Sequence, residues 1–319
     1  MTTYAVSADD VRAAAARIAP FVHRTPTLTN ETLSHLAGRA LFFKCENLQK
    51  TGSFKYRGAT NAVRKLDDAT TARGVVTHSS GNHAQALAKA AAVRGITAIV
   101  VMPRTAQAIK KQAVLGYGAT VIECEPTLAD RERVAGEVVR RTGGTLIPPF
   151  DHADVIAGQG TLALELLEDA PHLGALIVPV GGGGMLSGVT IAAKSVNPHI
   201  KVFGAEPLGA DDAARSFAGK TWLPQTAPQT IADGLMTSLG QLTWPIVRDH
   251  VDGIFTVTEA EIVAAMRLVW ERMKLVIEPS AAVGVAVALT VAFRDAVPAD
   301  QAVGIVLCGG NVSLDKRYW

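Results

Sequence analysis

The sequence is poor in cysteine and carries no strong excess of either charge. Three cysteines, Cys45, Cys124 and Cys308, are scattered through 319 residues. Their odd number and wide spacing exclude a disulfide framework and a paired-cysteine metal site, which fits a reducing compartment. The formal net charge is only +2, with both signs interspersed, so neither a nucleic acid nor an anionic membrane is indicated as a partner.

Long hydrophobic segments are absent as well. Apolar runs such as residues 175–180 are too short to span a bilayer and lie between glycines. The first ten residues are polar and lack the basic stretch followed by an apolar run that marks a signal peptide. We therefore expect no membrane partner and a cytoplasmic location.

What the sequence does contain is an alternation of short β-branched runs with helical stretches rich in Ala and Leu. Hydrophobic residues make up 48% and charged residues 19%, which is typical of a well-packed globular enzyme. Strands that are apolar on both faces and separated by helices indicate parallel sheets covered on both sides. The predicted class is α/β, doubly wound. The predicted strands are residues 74–77, 98–102, 120–124, 175–180, 202–205 and 303–307.

Three of these strands end in unusual turns: residues 79–83 (SSGNH), 181–184 (GGGG) and 308–311 (CGGN). Ligands of open parallel sheets bind beyond the carboxyl ends of the strands. The turns therefore predict where a site lies.

The tetraglycine turn, Gly181, Gly182, Gly183 and Gly184, follows an apolar strand and precedes a helical stretch. Four glycines allow backbone N–H groups to turn inward around an anion, and a helix N-terminus adds a favourable dipole. The turn lacks the Gly-Lys-Ser/Thr end of a nucleoside-triphosphate loop, and no acidic residue clearly marks a dinucleotide ribose site. It predicts a phosphate cup, with a flexible tight turn as the alternative.

The turn at residues 79–83 offers hydroxyls, an amide and several backbone donors at a second junction between a strand and a helix. Such a junction suits a carboxylate ligand. Serine and asparagine are also ordinary helix N-caps, so the residues alone leave both interpretations open.

Lys55 lies between Phe54 and Tyr56 in the segment TGSFKYRGA. If the site is dry, desolvation disfavours the ammonium and leaves the nucleophilic amine that a Schiff base requires. The alternative is a surface lysine whose stem lies along an aromatic pair.

Together these segments give a specific resemblance. The chain resembles the fold-type II pyridoxal-phosphate enzymes, within the serine racemase and serine/threonine dehydratase family, over nearly its whole length. The resemblance implies two doubly wound open sheets with parallel strands, as in the β subunit of tryptophan synthase. The matching segments are residues 44–59, 77–87, 155–161, 181–184, 230–234, 270–274, 277–279 and 308–311.

The resemblance implies a set of residues that bind pyridoxal phosphate. Lys55 would attach the cofactor as a Schiff base and then remove the α-proton of the substrate. Phe54 and Asn82 would flank the ring, with Asn82 bonded to its 3-oxygen, and residues 181–184 would hold the phosphate. Cys308 would face the pyridine nitrogen; as a weak partner it leaves that nitrogen unprotonated, which favours rapid loss of a β-hydroxyl. A small buried thiol at a strand end is compatible with this role.

The resemblance also implies a substrate site. Ser79, Asn82 and His83, with nearby backbone amides, would bind the substrate carboxylate. Ser80 would return a proton on the face opposite Lys55, and racemisation needs such a second acid/base group whereas elimination does not. Arg131 aligns with a residue near the substrate entrance; a solvated helix arginine is its alternative.

A divalent-cation site is implied at Glu206, Ala210 and Asp212, where two carboxylates and a backbone carbonyl would bind Mg²⁺, or Ca²⁺ or Mn²⁺ in its place. By themselves, acidic residues after a strand indicate a solvated loop. The role of the cation would be structural, because the cofactor chemistry does not require it.

The implied layout is a large cofactor-binding domain of residues 1–70 plus 151–319 and a small mobile substrate domain of residues 71–150, in a homodimer. The leading function is an ammonia-lyase that converts L-serine or L-threonine to a 2-oxoacid, with serine racemisation alongside. A dehydratase specialised for 3-hydroxyaspartate is the second hypothesis. The third is a nucleotide-binding oxidoreductase or a non-catalytic binding domain in which Lys55 is incidental.

Overall fold

A computed structural model describes residues 4–106 and 108–319. Residues 1–3 of the predicted large domain lie outside the described residues. Within those ranges the chain forms ten strands and fourteen α-helices. The strands are β1 Thr27–Thr29, β2 Leu41–Lys44, β3 Val75–His78, β4 Ala98–Pro103, β5 Thr120–Cys124, β6 Thr145–Leu146, β7 Leu173–Pro179, β8 Lys201–Pro207, β9 Gly253–Val257 and β10 Ala302–Val306.

At least one helix separates each pair of consecutive strands, as the alternating pattern predicts. They are α1 Ala8–Ile18, α2 Glu31–Ala37, α3 Lys55–Lys65, α4 Asp68–Thr71, α5 Asn82–Arg94, α6 Ala108–Gly116, α7 Leu128–Thr142, α8 Ala153–Asp169, α9 Gly184–Val196, α10 Asp212–Gly219, α11 Thr243–His250, α12 Glu259–Leu268, α13 Pro279–Leu289 and α14 Val291–Ala296.

The strands form two sheets. A six-stranded sheet has the order β1-β2-β10-β7-β8-β9, and a four-stranded sheet has the order β5-β4-β3-β6. All neighbours are parallel except β1, which pairs antiparallel with β2 at the edge of the larger sheet. The predicted α/β class with two mostly parallel sheets is confirmed, and the antiparallel edge strand is the departure from it.

The central strands are apolar on both faces because helices cover both sides of the sheet. Strands β7 and β10 are buried almost throughout, and α13, which packs against β7, β8 and β9, is buried along nearly its whole length. A helix that is apolar all round requires such a fully buried position. The larger sheet and its helices form one continuous hydrophobic core.

Helix α3 belongs to a second core. Its residues Tyr56, Ala59, Ala62 and Val63 share a hydrophobic cluster with residues of α5 and of the four-stranded sheet, and the helix also packs against α8. The segment that follows Lys55 therefore belongs to the hydrophobic cluster of the smaller sheet, although the predicted domain boundary lies further on, at residue 70.

The helix starts differ in whether a side chain caps them. Helices α1 and α12 begin with reciprocal capping boxes, Ser7 with Asp10 and Thr258 with Glu261. Helices α5 and α9 begin at a glycine that offers no capping side chain. Their first-turn N–H groups therefore remain available to another acceptor.

None of the helices in the described part of the chain is both long and apolar enough to cross a bilayer.

Candidate active site

The order of the larger sheet brings two of the predicted turns together. Strands β10 and β7 are neighbours, so the turns that follow them, residues 308–311 and 181–184, lie at the same edge of the sheet. The segment before α3 joins them through an antiparallel bridge between Ser53 and Gly309. The Phe54 N–H donates to the Cys308 carbonyl at 3.0 Å, so Lys55 enters beside the end of β10.

Lys55 is the first residue of α3 and is half-buried. Its Nζ donates to the Pro149 carbonyl at 2.7 Å and lies 5.1 Å from the centroid of the Phe54 ring. Burial lowers the pKa of Lys55 to about 8, although the neighbouring Cys308 and Glu278 groups act in the opposite direction. A lysine with this pKa is far more readily deprotonated than a surface lysine, as a Schiff-base nucleophile must be.

A buried ionic cluster anchors the helix that carries Lys55. The fully buried Arg57 guanidinium bonds both oxygens of Glu46 at 2.8 Å and reaches the Glu165 oxygens at 2.7 and 2.8 Å. Lys44 pairs with Glu165 at 2.7 Å and balances the second carboxylate. Buried charges tolerate little displacement from their partners, so this cluster ties α3 to β2 and α8.

The tetraglycine turn is shaped by its neighbours. Gly183 has φ +82°, which favours glycine, and a Cβ on Gly182 would overlap the Phe150 ring. A Cβ on Gly184 would come within 2.9 Å of the Phe150 carbonyl. The turn is buried and leads into the uncapped N-terminus of α9. This is the donor arrangement that a phosphate needs.

Cys308 lies two residues after β10 and is buried. Burial raises the pKa of its thiol well above the usual range, and the nearby Glu278 carboxylate raises it further. The group is a neutral thiol, as a weak partner for a pyridine nitrogen would be.

The serine and asparagine turn ends β3 in the smaller sheet. The Ser79 N–H continues the strand ladder to the Val101 carbonyl at 3.2 Å, and its Oγ accepts from the Gly81 N–H at 3.4 Å. Ser80 is half-buried beside it, and α5 starts at Asn82. The turn thus exposes hydroxyls and uncapped N–H groups, the donors that the sequence predicts for a carboxylate.

The two other polar side chains of this turn have partners within the protein. The Asn82 Nδ2 donates to the two Glu278 oxygens at 2.9 and 3.2 Å, so in this conformation its amide is directed at a carboxylate. His83 is buried, with its Nε2 3.0 Å from the Ile147 carbonyl. Burial lowers the pKa of His83 to about 3, with the Lys55 charge adding to the effect. The imidazole is therefore neutral, which leaves its backbone N–H as the better donor for a carboxylate.

Two residues that received no role from the sequence complete the site. Glu278 is 4% exposed, and burial raises its pKa to about 7. Asn311 donates from its backbone to Glu278 at 3.1 Å and from Nδ2 to the Asn82 Oδ1 at 2.8 Å and the Thr51 carbonyl at 2.8 Å. Two signals in the sequence point to Glu278: it lies in the matching segment 277–279, and it is a carboxylate just before an apolar helix.

Arg131 lies on α7, where its Nε approaches the Thr127 carbonyl at 3.4 Å. His78 precedes Ser79 in the chain. Burial lowers the pKa of His78, and the positive charge of Arg131 lowers it further. Arg131 therefore lies within electrostatic reach of the serine and asparagine turn without contacting it.

The predicted cation ligands lie around the start of α10. Glu206 is in β8, Ala210 ends a short 3₁₀ turn, and Asp212 begins α10. Burial raises the pKa of Glu206 to about 9 and that of Asp212 to about 6. Among the described residues the Asp212 Oδ1 is buried without a hydrogen-bond partner. Buried carboxylates with spare lone pairs fit a hard cation that a carbonyl also ligates.

Pyridoxal phosphate fits the residues that are present. The tetraglycine turn is closely packed by its neighbours and leads into the uncapped N–H groups of α9, Lys55 has a lowered pKa, and Cys308 supplies a neutral thiol. These groups would hold the phosphate, the aldehyde carbon and the ring nitrogen respectively.

Comparison with known proteins agrees with this geometry. The model of the pyridoxal-phosphate dependent enzyme family matches residues 18–309. The chain is 53% identical to serine racemase of Dictyostelium discoideum, over 98% of this chain and 96% of that protein. It is 48% identical to beta-hydroxyaspartate dehydratase of Paracoccus denitrificans, over 99% of each. The structure of maize serine racemase superposes with a TM-score of 0.96 at 47% identity, covering 98% of this chain and 95% of that one.

Proposed function

This chain belongs to the pyridoxal-phosphate dependent enzyme family, as a lyase and/or racemase, and within it we propose a serine/threonine ammonia-lyase that also racemises serine. The observation that carries the proposal is Lys55, whose burial lowers its pKa to about 8 beside the tetraglycine turn and Cys308. The family match gives no support to the oxidoreductase alternative.

Pyridoxal phosphate supplies an electron sink for negative charge at the α-carbon of a bound amino acid. The uncapped N–H groups of α9 and the tetraglycine turn would hold its phosphate, and Lys55 would hold it covalently. Once released by substrate, the Lys55 amine takes the α-proton. The neutral Cys308 thiol would face the ring nitrogen as a weak partner that does not protonate it, which would favour loss of the β-hydroxyl.

Reaction choice would depend on the serine and asparagine turn. Ser79 and the backbone donors of α5 orient the substrate carboxylate. Ser80 donates a proton on the face opposite Lys55 and so completes racemisation. If the β-hydroxyl leaves first, the products are a 2-oxoacid and ammonia.

The test is an assay of 2-oxoacid and ammonia, with chiral analysis of the remaining amino acid, across L-serine, D-serine and L-threonine. We expect release from L-serine and L-threonine, and the appearance of D-serine. An enzyme that turns over none of these three amino acids would contradict the proposal.

A dehydratase for 3-hydroxyaspartate is the second candidate. It is favoured by Arg131, whose charge lies near the turn and could pair with a second substrate carboxylate, and by the 48% identity to the Paracoccus enzyme. The same assay with the stereoisomers of hydroxyaspartate decides between the two, because a kcat/KM at least tenfold above that for L-serine would select the dehydratase.

We also propose Mg²⁺ at Glu206, Ala210 and Asp212, since the two buried carboxylates need a positive partner to ionise fully. A homodimer, a cytoplasmic location and closure of residues 71–150 over the substrate stay predictions. The ion pair between Lys110 of α6 and Asp233, at 2.8 Å, supports the last of these because it connects the two predicted domains.

A further inference from the structure

Residues 239–243, called the bracket below, hold the tetraglycine turn in place. The Gly182 carbonyl accepts from the Thr243 Oγ1 at 2.8 Å and from the Gly240 N–H at 3.3 Å. The same Gly240 N–H also reaches the Thr243 Oγ1 at 2.8 Å. A Cβ on Gly183 would come within 2.8 Å of both Leu239 and Thr243. The bracket therefore supports the turn by hydrogen bonds and by packing.

The other end of the bracket is attached to the predicted cation site. The Leu239 N–H donates to the Asp212 Oδ2 at 3.2 Å. Leu239 is 2% exposed, while Asp212 and Thr243 are fully buried. Two consecutive backbone N–H groups therefore contact the two sites. The Leu239 N–H donates to the Asp212 carboxylate, and the Gly240 N–H donates to the Gly182 carbonyl of the tetraglycine turn.

From this arrangement we propose that the bracket couples the cation site to the tetraglycine turn, with Thr243 as the positioning residue, so that cation binding tightens the hold on the cofactor phosphate. The inference rests on the proposed cofactor and cation. A cation with fixed coordination geometry sets the orientation of Asp212. The bracket is closely packed and cannot easily absorb a shift of Leu239. A change in the position of Leu239 therefore also moves Gly240 and, through its hydrogen bond, Gly182.

The test measures how fast the full-length holoenzyme loses its cofactor by dilution, in MgCl₂ and in EDTA. We expect Mg²⁺ to slow the loss by roughly fivefold or more, the lower end of ordinary coupling between sites. Protein reconstituted with pyridoxal, which lacks the phosphate, should lose it equally fast in both solutions. An equal effect of Mg²⁺ on both ligands would overturn the proposal, because the turn would then not be the coupled element.

The matched variants are Thr243→Val and Thr243→Ser. Valine removes the hydroxyl at nearly constant shape, so the effect of Mg²⁺ on cofactor loss should disappear while Mg²⁺ still raises the melting temperature. Serine keeps the hydroxyl and should keep the effect. A valine variant with the full Mg²⁺ effect would overturn the role of Thr243.

A reciprocal measurement on the unmodified protein needs no variant. Because coupling is mutual, the cofactor must raise the affinity for Mg²⁺ by the same factor by which Mg²⁺ raises the affinity for the cofactor. Mg²⁺ that binds with equal affinity with and without pyridoxal phosphate would overturn the coupling alone. Mg²⁺ that does not bind at all would overturn the cation site, and the coupling with it, without touching the proposed reaction.

Discussion

The tetraglycine turn and the serine and asparagine turn both join a parallel strand to a helix without a side-chain cap, but the two differ in how firmly they are held. Gly182 is buried, and an added Cβ would overlap Phe150. Gly81 in the other turn is half-buried, and an added Cβ would meet nothing within 4 Å. The difference indicates that the proposed cofactor half of the site is tightly packed by its neighbours, whereas the proposed substrate half, on the smaller sheet, has open space around its glycine.

The largest effect tests the cofactor half. Lys55→Ala removes the amine, so we expect loss of turnover and of covalent cofactor attachment. Borohydride reduction followed by mass spectrometry checks the attachment, and Lys55→Arg is the control that keeps the charge. Turnover retained in either variant would remove Lys55 from its assigned role.

The next effect tests the substrate half. Ser80→Ala should slow racemisation by roughly 10²-fold, the usual contribution of one general acid, and spare much of the elimination. The rates of D-serine and pyruvate formation from L-serine are compared in one sample. If both rates fall equally, Ser80 acts on binding and is not the proton donor.

Glu278 bonds Asn82 of the serine and asparagine turn and Asn311 after β10. The free energy of unfolding should depend on pH because of this buried carboxyl group. Its folded pKa of about 7 lies above the ordinary value of 4.5, so the folded state holds the extra proton between these values. The contribution of Glu278 to stability is therefore present at low pH and falls as pH rises from about 4.5 to 7, by up to about 3 kcal/mol.

Glu278→Gln should flatten this dependence in urea unfolding curves recorded across that range. The exposed Glu137→Gln serves as the control and should leave the slope as it is. An unchanged slope in Glu278→Gln would show that Glu278 ionises as it does in the unfolded chain.

A pair of glycine variants addresses the comparison directly. Gly182→Ala forces a methyl group against Phe150 and should lower the free energy of unfolding by about 1–3 kcal/mol. Gly81→Ala should leave it unchanged. Equal losses in thermal and urea unfolding would mean that the two turns are equally rigid.

The smallest effect concerns the ion pair between the predicted domains. Lys110→Met should change the free energy of unfolding by less than ~1 kcal/mol, because an exposed pair contributes little, but should raise the KM for substrate if closure matters. Lys111→Met is the control, because Lys111 pairs with Glu123 within the predicted small domain and not across the domain boundary. A KM that rises equally in both variants would exclude a specific contribution of Lys110 to closure.

The sequence predicts the fold class and most of the central strands because β-branched runs and glycine turns are local signals. Contacts between distant segments are not local, so the hydrogen bonds of Glu278 to Asn82 and Asn311, and the packing of Phe150 on Gly182, could not be predicted. The place of α3 in the hydrophobic cluster of the smaller sheet was missed for the same reason. The roles of the individual site residues stay predictions, and the neutral His83 shows how burial changes what a side chain can offer.

The position of β10 between β2 and β7 has a consequence for synthesis. The four-stranded sheet is made from one continuous stretch, residues 75–146, and can form while the chain is still growing. The larger sheet cannot join its two parts until β10, the last strand, has left the ribosome. Until then Ser53 lacks its pairing with Gly309, and the Phe54 N–H lacks the Cys308 carbonyl as its acceptor, so the segment before Lys55 misses these contacts. The candidate site is therefore completed last, and a chain truncated before residue 302 would contain Lys55 and the tetraglycine turn but not the end of β10 with Cys308.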